Sequence, residues 1–474
     1  MWADWPVAGT ASEERTGTVR GALIAEHGKG ASAGRGAGAR GGRAALVAAV
    51  VLVALAGCSR EFILPGERVD IRDPWGGSAE PDNRALPLSL PAQATNASWT
   101  HRQGQNGARP AHPALSARPQ LVWSTPIGEG DARRRTLNTD PVGGDGRVFT
   151  LDALARVQAT SVSSGEALWS RDLTPEWSRA GTASGGGIAL AGGRLYVASA
   201  HGFLAALDAA TGETVWRHRF DAPLTGAPTV QGDRVFVSAA DSTLWAMDTA
   251  DGRVDWTRRG TESLSIMARG AAPAISGDDV IFPTQAGELF AMRRANGAER
   301  WSGALTGRRM GVARANISAV TGDPVVDGQR VYAGNQAGRV AAFDARDGSQ
   351  IWAAREGTSD PVWPAGGSVF LVTDENRLMR LDAADGAPIW SVQLPLFASD
   401  RPRRQATIFP QHGPVLAGGR LWVASGDGPL RGYDPVSGSE TMVLEVPRGA
   451  ASAPIVMGGA MFVLGRDGRL HAFR

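Results

Sequence analysis

Few side chains in this sequence have the types and spacing that catalysis or metal binding requires. The seven histidines are scattered, and no two of them lie at a spacing typical of a metal site. There is neither a Gly-x-Ser-x-Gly nucleophile elbow nor a phosphate-binding loop. The residue best placed for chemistry is Cys58, the only cysteine, because it directly follows a short apolar run. The sequence therefore predicts no catalytic residue, no metal site and no cofactor.

Cys58 ends a segment with the features of a bacterial secretory signal. Arg40 and Arg43 precede an apolar run over residues 44–56, and the segment ends in Leu-Ala-Gly-Cys. The run is too short to span a bilayer comfortably. The arrangement resembles a bacterial lipobox, in which the cysteine thiol is acylated and becomes the first residue of the mature chain. Residues 1–57 are therefore predicted to be a signal peptide; a free cysteine in a transmembrane stub is the alternative.

The start and the destination of this signal are two further questions. Residues 1–34 do not resemble the n-region of a signal, so translation from a downstream start such as Val19 is a second interpretation. Ser59 follows the cysteine, and by analogy with enterobacterial sorting rules a serine here, in place of aspartate, favours the outer membrane. We therefore expect a lipid-anchored protein on the periplasmic face of the outer membrane, with inner-membrane retention as the alternative.

The chain that follows the signal carries no net charge. Six of the 49 basic and four of the 47 acidic residues lie in residues 1–57, which leaves 43 of each. Such a chain lacks the positive charge with which proteins bind nucleic acid. Glycines number 62 and charged residues make up only 20% of the sequence, a composition typical of short strands joined by tight turns.

An internal repeat determines the predicted fold. Residues 206–216 read Ala-Leu-Asp-Ala-Ala-Thr-Gly-Glu-Thr-Val-Trp, and this frame of aspartate, glycine and tryptophan recurs along the chain. Successive tryptophans are 38 to 51 residues apart, the length of one β-propeller blade with loops of variable size. The copies include the pairs Asp208 and Gly212, Asp248 and Gly252, and Asp344 and Gly348, and the tryptophans Trp169, Trp216, Trp256, Trp301, Trp352 and Trp390.

Each part of the frame has a structural explanation. The aspartate can accept hydrogen bonds from backbone amides in a hairpin turn, and the glycine can adopt a positive φ there. The tryptophan, in the outer strand, can fill the wedge between two blades and donate its indole N–H to a turn carbonyl. We therefore assign these residues to the structure; stacking of a quinone or another ligand on the tryptophans is the alternative.

The repeats predict an all-β, eight-bladed β-propeller over residues 116–474. The last repeat, residues 453–474, has no outer strand of its own, and residues 120–124 form an isolated strand before the first repeat. We expect this strand to pair with the last blade, with Trp123 in the docking position, which closes the ring and removes open edges. Residues 58–115 lack the repeat and are rich in Pro, Gly, Ala and Asn, so we expect a flexible tether.

The frame, the lipobox, the tether and the eight repeats together resemble the BamB family of outer-membrane lipoproteins. The frame itself is shared with quinoprotein dehydrogenases and marks a fold more than a function. The resemblance extends over roughly residues 120–474. It implies a non-enzymatic scaffold, monomeric outside its complex, that binds periplasmic domains of the insertase BamA and other subunits of the barrel-assembly machine and aids the insertion of barrel proteins.

The resemblance implies a partner-binding loop at residues 263–270. In the family, a leucine-rich loop that ends in Arg-Gly before a proline inserts at the BamA contact, and Arg269 matches the arginine of that motif. The apolar side of the contact would come from Leu264, Ile266 and Met267. An ordinary connection between two blades is the alternative interpretation.

A second implied partner-binding segment covers residues 316–326. The family often has aspartates where Ala319 and Thr321 stand in this sequence, so the acidic half of the contact departs from the pattern. Asp323 is the acidic residue that could replace them, and we expect it to contact the partner.

Two other functions fit the repeat. A quinoprotein dehydrogenase would need a pocket for pyrroloquinoline quinone, a bound calcium ion and a catalytic aspartate. Such enzymes usually carry an adjacent cysteine pair, which this chain lacks. A periplasmic propeller that binds some other protein is the second alternative. Absorbance of a bound quinone, or co-purification with an insertase, would distinguish the enzyme from the scaffold.

Overall fold

The fold is built from short antiparallel strands. The computed structural model describes residues 82–474, except 133, 134, 180, 182, 184, 264, 310–312, 402–404 and 406. These residues form 32 β-strands in eight four-stranded sheets, with a 3-10 helix at Ala313–Asn316. Within the same residues, no helix has the length and apolarity that crossing a membrane would need. The predicted all-β, eight-bladed propeller is confirmed.

Each sheet is one blade, in which the strands follow one another from the innermost outwards. The strands of blades 1 to 4 are β2 (Val142–Gly144), β3 (Arg147–Leu151), β4 (Arg156–Ser161) and β5 (Ala167–Asp172); β6 (Gly186–Ala191), β7 (Arg194–Ser199), β8 (Phe203–Asp208) and β9 (Thr214–Arg219); β10 (Thr229–Gln231), β11 (Arg234–Ser238), β12 (Thr243–Asp248) and β13 (Val254–Arg259); and β14 (Ala274–Ser276), β15 (Asp279–Pro283), β16 (Glu288–Arg293) and β17 (Glu299–Ala304). The strands of blades 5 to 8 are β18 (Val320–Asp327), β19 (Arg330–Asn335), β20 (Arg339–Asp344) and β21 (Gln350–Ala354); β22 (Trp363–Ala365), β23 (Ser368–Val372), β24 (Arg377–Asp382) and β25 (Pro388–Gln393); β26 (Gln411–Ala417), β27 (Arg420–Ser425), β28 (Pro429–Tyr433) and β29 (Glu440–Glu445); and β30 (Ile455–Met457), β31 (Ala460–Gly465), β32 (Arg469–Phe473) and β1 (Leu121–Pro126).

The blades are arranged in a ring around their first strands. The first strand of most sheets is short and largely buried, whereas the fourth has several exposed side chains. First strands of neighbouring blades contact each other, as β2 does with β6 and with β30. Apolar side chains from adjacent sheets form separate clusters, as expected for a fold in which each blade packs against its two neighbours.

The ring closes by pairing the first and last strands of the propeller. β1 pairs antiparallel with β32 as the outer strand of blade 8, and Trp123 lies opposite Ala472. Gln120 and Arg474 exchange two backbone hydrogen bonds, of 2.6 and 2.9 Å, at the end of this ladder. The closure expected from the isolated strand is therefore confirmed.

A tryptophan in the outer strand of seven blades locks that blade to a turn of the next. The ring of Trp216, for example, packs against Gly252, where an added Cβ atom would lie 2.6 Å from the indole. Gly252 has a φ of +74°, and Asp248 accepts a hydrogen bond from the Ala250 amide in the same turn. The other pairs are Trp123–Gly165, Trp169–Gly212, Trp256–Gly297, Trp301–Gly348, Trp352–Gly386 and Trp390–Gly438.

Hydrogen bonds complete these interlocks. Asp208 and Asp344 accept hydrogen bonds from amides of their own turns, as Asp248 does. Each indole N–H donates to a carbonyl of the neighbouring turn, which is the docking that the sequence predicts. At 2.9 to 3.3 Å, the pairs are Trp123–Val162, Trp169–Ala209, Trp216–Thr249, Trp256–Arg294, Trp301–Ala345, Trp352–Ala383 and Trp390–Pro435.

The interface between blades 7 and 8 lacks this interlock. Met442 stands at the tryptophan position of β29, opposite Gly432. The turn that would face it in blade 8 is absent, because the chain enters that blade at Gln120 and leaves it at Arg474. Closure of the ring by two separate segments thus accounts for the missing tryptophan.

The flexible tether expected over residues 58–115 is wrong for residues 94–115. Trp99, Gln103 and Leu115 are only 1%, 0% and 8% exposed. The composition of this segment predicts a tether because small and polar residues dominate it. Those residues instead pack against blades that are distant in the sequence, so their burial has no local signal.

Candidate functional site

Residues 94–114, which we term the N-terminal segment, circle the centre of the propeller. Their hydrogen bonds reach the innermost strand of each blade, or a residue beside it, in the order of blades 8, 1, 2, 3, 4, 5, 6 and 7. The bonded pairs are Asn96–Gly458, Trp99–Gly143, Thr100–Leu190, His101–Val230, Asn106–Ile275, Gly107–Val326, Arg109–Val362 and Pro113–Gly418. One short stretch of chain therefore fills the space that eight blades enclose.

Arg102 brings the N-terminal segment into contact with three buried carboxylates. Its guanidinium lies 2.8 Å from Asp140, 2.5 Å from Asp323 and 3.3 Å from Asp360. These aspartates come from blades 1, 5 and 6, and none of their side chains is more than 4% exposed. A planar guanidinium with five N–H donors suits this bridging better than an ammonium group would.

Arg269, the arginine of the predicted partner-binding loop, joins the same carboxylates from the connection between blades 3 and 4. Its Nη2 atom lies 2.6 Å from Asp140 Oδ2, the oxygen that Arg102 also contacts. Its Nη1 atom lies 3.0 Å from Asp360 Oδ1, which Arg102 contacts as well. We term these five residues the axial cluster: Arg102, Arg269, Asp140, Asp323 and Asp360.

Prolines help to position the three aspartates. Asp140, Asp323 and Asp360 each precede a proline at the innermost strand of their blade, and proline restricts the residue before it to extended conformations. Three blades thus place a carboxylate at this point, and the carboxylates converge on one arginine. The corresponding residues before proline in four other blades are small: Ala227, Ala272, Gly413 and Ala453.

Burial and pairing oppose each other in the axial cluster. Burial on its own would raise the pKa of Asp140, but Arg269 and Arg102 lower that pKa to about 2. At Asp360 burial again opposes ionisation, and the nearby Arg269 still leaves its pKa below the usual value. Burial prevails at Asp323 and raises its pKa despite Arg102. At neutral pH the two arginines therefore hold Asp140 and Asp360 ionised.

The loop at residues 260–273 exposes the predicted partner-binding residues to different degrees. Ile266 is 58% exposed, whereas Met267 is partly buried. The Arg269 side chain is 18% exposed, since two carboxylates hold its guanidinium inside. Leu264 lies outside the described residues. Of the predicted apolar residues that the structure describes in this loop, Ile266 is therefore more available to a partner than Met267.

Asp323 is not available to a partner, contrary to the expectation from the sequence. Its side chain is fully buried, and one carboxylate oxygen binds both Arg102 and the amide of Ala272, the latter at 3.0 Å. Ala319 and Thr321, where the family often has aspartates, are buried as well. The expectation is wrong because this part of the segment faces the interior of the propeller.

Sequence reasoning missed Arg102, Asp140 and Asp360. A usable signal was present in the aspartate before proline, because the corresponding residue before proline is small in four other blades. No signal connects these aspartates with Arg102, from which they are separated by 38 and 258 residues.

Comparison with protein families shows to which family this chain belongs. The family model described as outer membrane protein assembly factor BamB matches residues 153–392 and 399–474. The chain belongs to the BamB family. The match begins after Arg102 and Asp140, so those two members of the axial cluster lie outside the part of the chain that the BamB model covers.

Individual relatives agree with this assignment. BamB of Salmonella typhimurium is 28% identical over 359 residues, which cover 75% of this chain and 88% of that protein. The crystal structure of BamB from Moraxella catarrhalis matches with a TM-score of 0.60 at 17% identity, over 76% of this chain and 98% of that one. Quinohemoprotein alcohol dehydrogenase from Comamonas testosteroni gives 0.62 at 16% identity, over 80% and 81%. At these identities the solved structures show the fold alone.

The likeness to dehydrogenases raises the question whether a quinone and a calcium ion fit the centre of this BamB-family propeller. The cavity beside Arg102 and Asp140 has a volume of about 10 Å³, room for one water molecule, and a second cavity of about 200 Å³ lies beside Arg269, Asp360 and His412. Within the described residues, no group of three or more His, Cys, Asp or Glu could hold a metal ion. The residues present therefore do not fit a quinone with its calcium ion.

Proposed function

We propose that this chain is a non-enzymatic scaffold lipoprotein of the outer-membrane β-barrel assembly machinery. In this role its propeller binds periplasmic domains of the insertase BamA and aids the insertion of barrel proteins. Membership of the BamB family supports the assembly role. The anchor is proposed at Cys58 on the periplasmic face of the outer membrane; it rests on the sequence, because Cys58 lies outside the described residues.

The filled centre is the observation that carries this proposal. The N-terminal segment bonds to the innermost strand of each blade, or to a residue beside it, which leaves the exposed loops for recognition. Ile266 has the properties of an interface anchor, because a large apolar side chain that is 58% exposed gains most from being covered by a partner.

Affinity purification from detergent-solubilised outer membranes tests the proposal. We expect the insertase to co-purify with the wild-type chain. Ile266→Glu should reduce the recovered insertase about tenfold or more, because an anchor residue in an interface contributes about 2 kcal/mol. Arg269 is unsuitable for charge reversal, because that change would place a third buried negative charge beside Asp140 and Asp360.

Val443→Glu is the matched control for Ile266→Glu. Val443 is 46% exposed, but it lies in β29 on the outer strand of blade 7, and its replacement should leave the recovery unchanged. Absence of the insertase from the wild-type preparation would contradict the assembly role. Equal recovery with wild type and Ile266→Glu would contradict only the assignment of the loop. Quinone absorbance after incubation with pyrroloquinoline quinone and calcium would favour a dehydrogenase.

A further inference from the structure

The axial cluster connects the N-terminal segment to the loop at 260–273 through shared atoms. Arg102 and Arg269 contact the same oxygen of Asp140 and the same oxygen of Asp360. Two guanidinium groups this close would repel each other without the carboxylates between them. The place of the Arg269 side chain therefore depends on groups that Arg102 also holds.

Arg102 contacts the backbone of the loop in addition. Its Nη1 atom lies 3.5 Å from the carbonyl oxygen of Gly270. The Asp323 oxygen that it binds accepts a hydrogen bond from the Ala272 amide at 3.0 Å. The loop is thus attached to Arg102 at its arginine side chain, at Gly270 and at Ala272, immediately after the exposed Ile266.

We propose that Arg102 is a positioning residue that fixes the conformation of residues 265–272 and with it the presentation of Ile266. The inference rests on the proposed function only in naming the insertase as the partner to which Ile266 is presented. The N-terminal segment then has two roles in one structure: it fills the centre of the propeller, and it orders the recognition loop.

Loss of Arg102 would disturb these three attachments of the loop, while the hydrogen bonds from the Met267 amide to Gln285 and from the Gly270 amide to Thr225 would remain. Among the described residues, Arg102 is the sole ion-pair partner of Asp323, and Asp140 and Asp360 would be left to share Arg269. A buried carboxylate that loses its cation takes up a proton or draws in water. Either change at Asp323 disturbs its hydrogen bond with the Ala272 amide, and the contact of Arg102 with Gly270 is lost as well, so residues 265–272 would be held less firmly in one conformation.

Hydrogen–deuterium exchange of the full-length protein at pH 7 tests this role. In Arg102→Met, the amides of residues 265–272 should exchange at least about tenfold faster than in wild type. Arg102→Lys keeps the charge but cannot bridge three carboxylates with a planar fork, so it should give an intermediate rate. The lysine variant also keeps the inference testable if the methionine variant does not fold.

Arg380→Met is the matched control. Arg380 is 2% exposed, and its guanidinium donates to the carbonyls of Leu86 and Pro87. Its loss therefore detaches part of the chain that precedes the propeller, as the loss of Arg102 does, but it leaves the axial cluster intact. We expect a lower melting temperature in this variant without faster exchange in residues 265–272.

Binding to the soluble periplasmic domains of the insertase separates this inference from the proposed function. Faster loop exchange in Arg102→Met with about tenfold weaker binding supports both. Faster exchange with unchanged binding supports the positioning role and contradicts the loop as the recognition surface. Wild-type exchange of residues 265–272 in the folded Arg102 variants would overturn the positioning role, and so would equally fast exchange in Arg380→Met.

Discussion

Next to Arg102, the imidazole of His101 is buried in its neutral form. The side chain is 3% exposed. Its Nε2 atom accepts a hydrogen bond from the Val230 amide at 3.1 Å, so the proton of the neutral ring is on Nδ1, which lies 2.9 Å from Thr100 Oγ1. Burial lowers the pKa of His101 to about 3. A single residue of the N-terminal segment thereby makes the stability of the propeller depend on pH.

We predict that the free energy of unfolding falls as the pH drops below 6.5. The unfolded chain protonates His101 near pH 6.5, whereas the folded protein does not do so until about pH 3. The unfolded state therefore binds more protons in this window, and this residue lowers stability by about 1.4 kcal/mol per pH unit between pH 6 and 4. Above pH 6.5 its effect is constant.

Chemical denaturation of wild type and His101→Gln at several pH values measures this effect. Glutamine can accept the Val230 hydrogen bond without titrating, so the variant should show a shallower pH dependence. The remaining slope would come from other histidines whose pKa is lowered by burial, such as His412 and His471. Identical slopes in the two proteins would show that His101 titrates normally when folded.

At the scale of the element, seven of the eight blades dock onto the next blade through a contact between a tryptophan ring and a glycine. Trp216 and Gly252 illustrate it: the ring lies where a Cβ atom of residue 252 would be, and its N–H is bound by the same turn. The interlock requires the positive φ of the glycine and also its lack of a side chain. The strength of the contact between blades 2 and 3 therefore depends on both residues together.

We predict that Gly252→Ala lowers the free energy of unfolding by about 1–3 kcal/mol through its clash with the indole. Gly277→Ala is the control, because Gly277 also has a positive φ, +58°, but a Cβ atom there would meet nothing within 4 Å. Trp216→Ala should cost about 3–5 kcal/mol. In the Trp216→Ala protein, Gly252→Ala should lower the free energy of unfolding by no more than Gly277→Ala does. If Gly252→Ala lowered it there by as much as in the wild type, the interlock would be contradicted.

At the scale of the whole molecule, two neighbouring stretches near the start of the propeller complete the ring, one at its outside and one at its centre. β1 completes blade 8 on the outside of the ring. The N-terminal segment bonds to all eight blades on the inside. Ring closure and filling of the centre are thus contributed by neighbouring stretches of one chain, and truncation can separate them.

We predict that two truncated chains differ in whether they fold or aggregate. A chain that starts at residue 116 keeps β1 but loses the N-terminal segment. It should still fold, but with a free energy of unfolding lower by at least about 3–5 kcal/mol, because the buried carboxylates that Arg102 binds would lose this partner. A chain that starts at residue 127 loses β1 and exposes the edge of β32, so it should aggregate. Thermal unfolding and size-exclusion chromatography measure both, with a chain starting at residue 94 as the control. Equal melting temperatures for the chains starting at 94 and 116 would contradict the role of the N-terminal segment.

Much of the fold could be predicted because the blades repeat the same local contacts. The spacing of tryptophan, aspartate and glycine reflects contacts between adjacent repeats, such as that of Trp216 with Gly252, and these contacts recur in the sequence. The isolated strand around Trp123 was recognisable because the last repeat lacks an outer strand. Eight blades and their closure were therefore determined by the sequence itself.

The site at the centre was decided only by the tertiary structure. Arg102 meets Asp140, Asp323 and Asp360 across 38, 221 and 258 residues, and it does so once in the molecule, so no periodicity records the contact. Low sequence complexity around Arg102 predicts a tether, because a local pattern cannot show that a closed ring has room for one segment at its axis. Only the closed ring brings the innermost strands of blades 1, 5 and 6 near enough for one guanidinium to bind all three carboxylates.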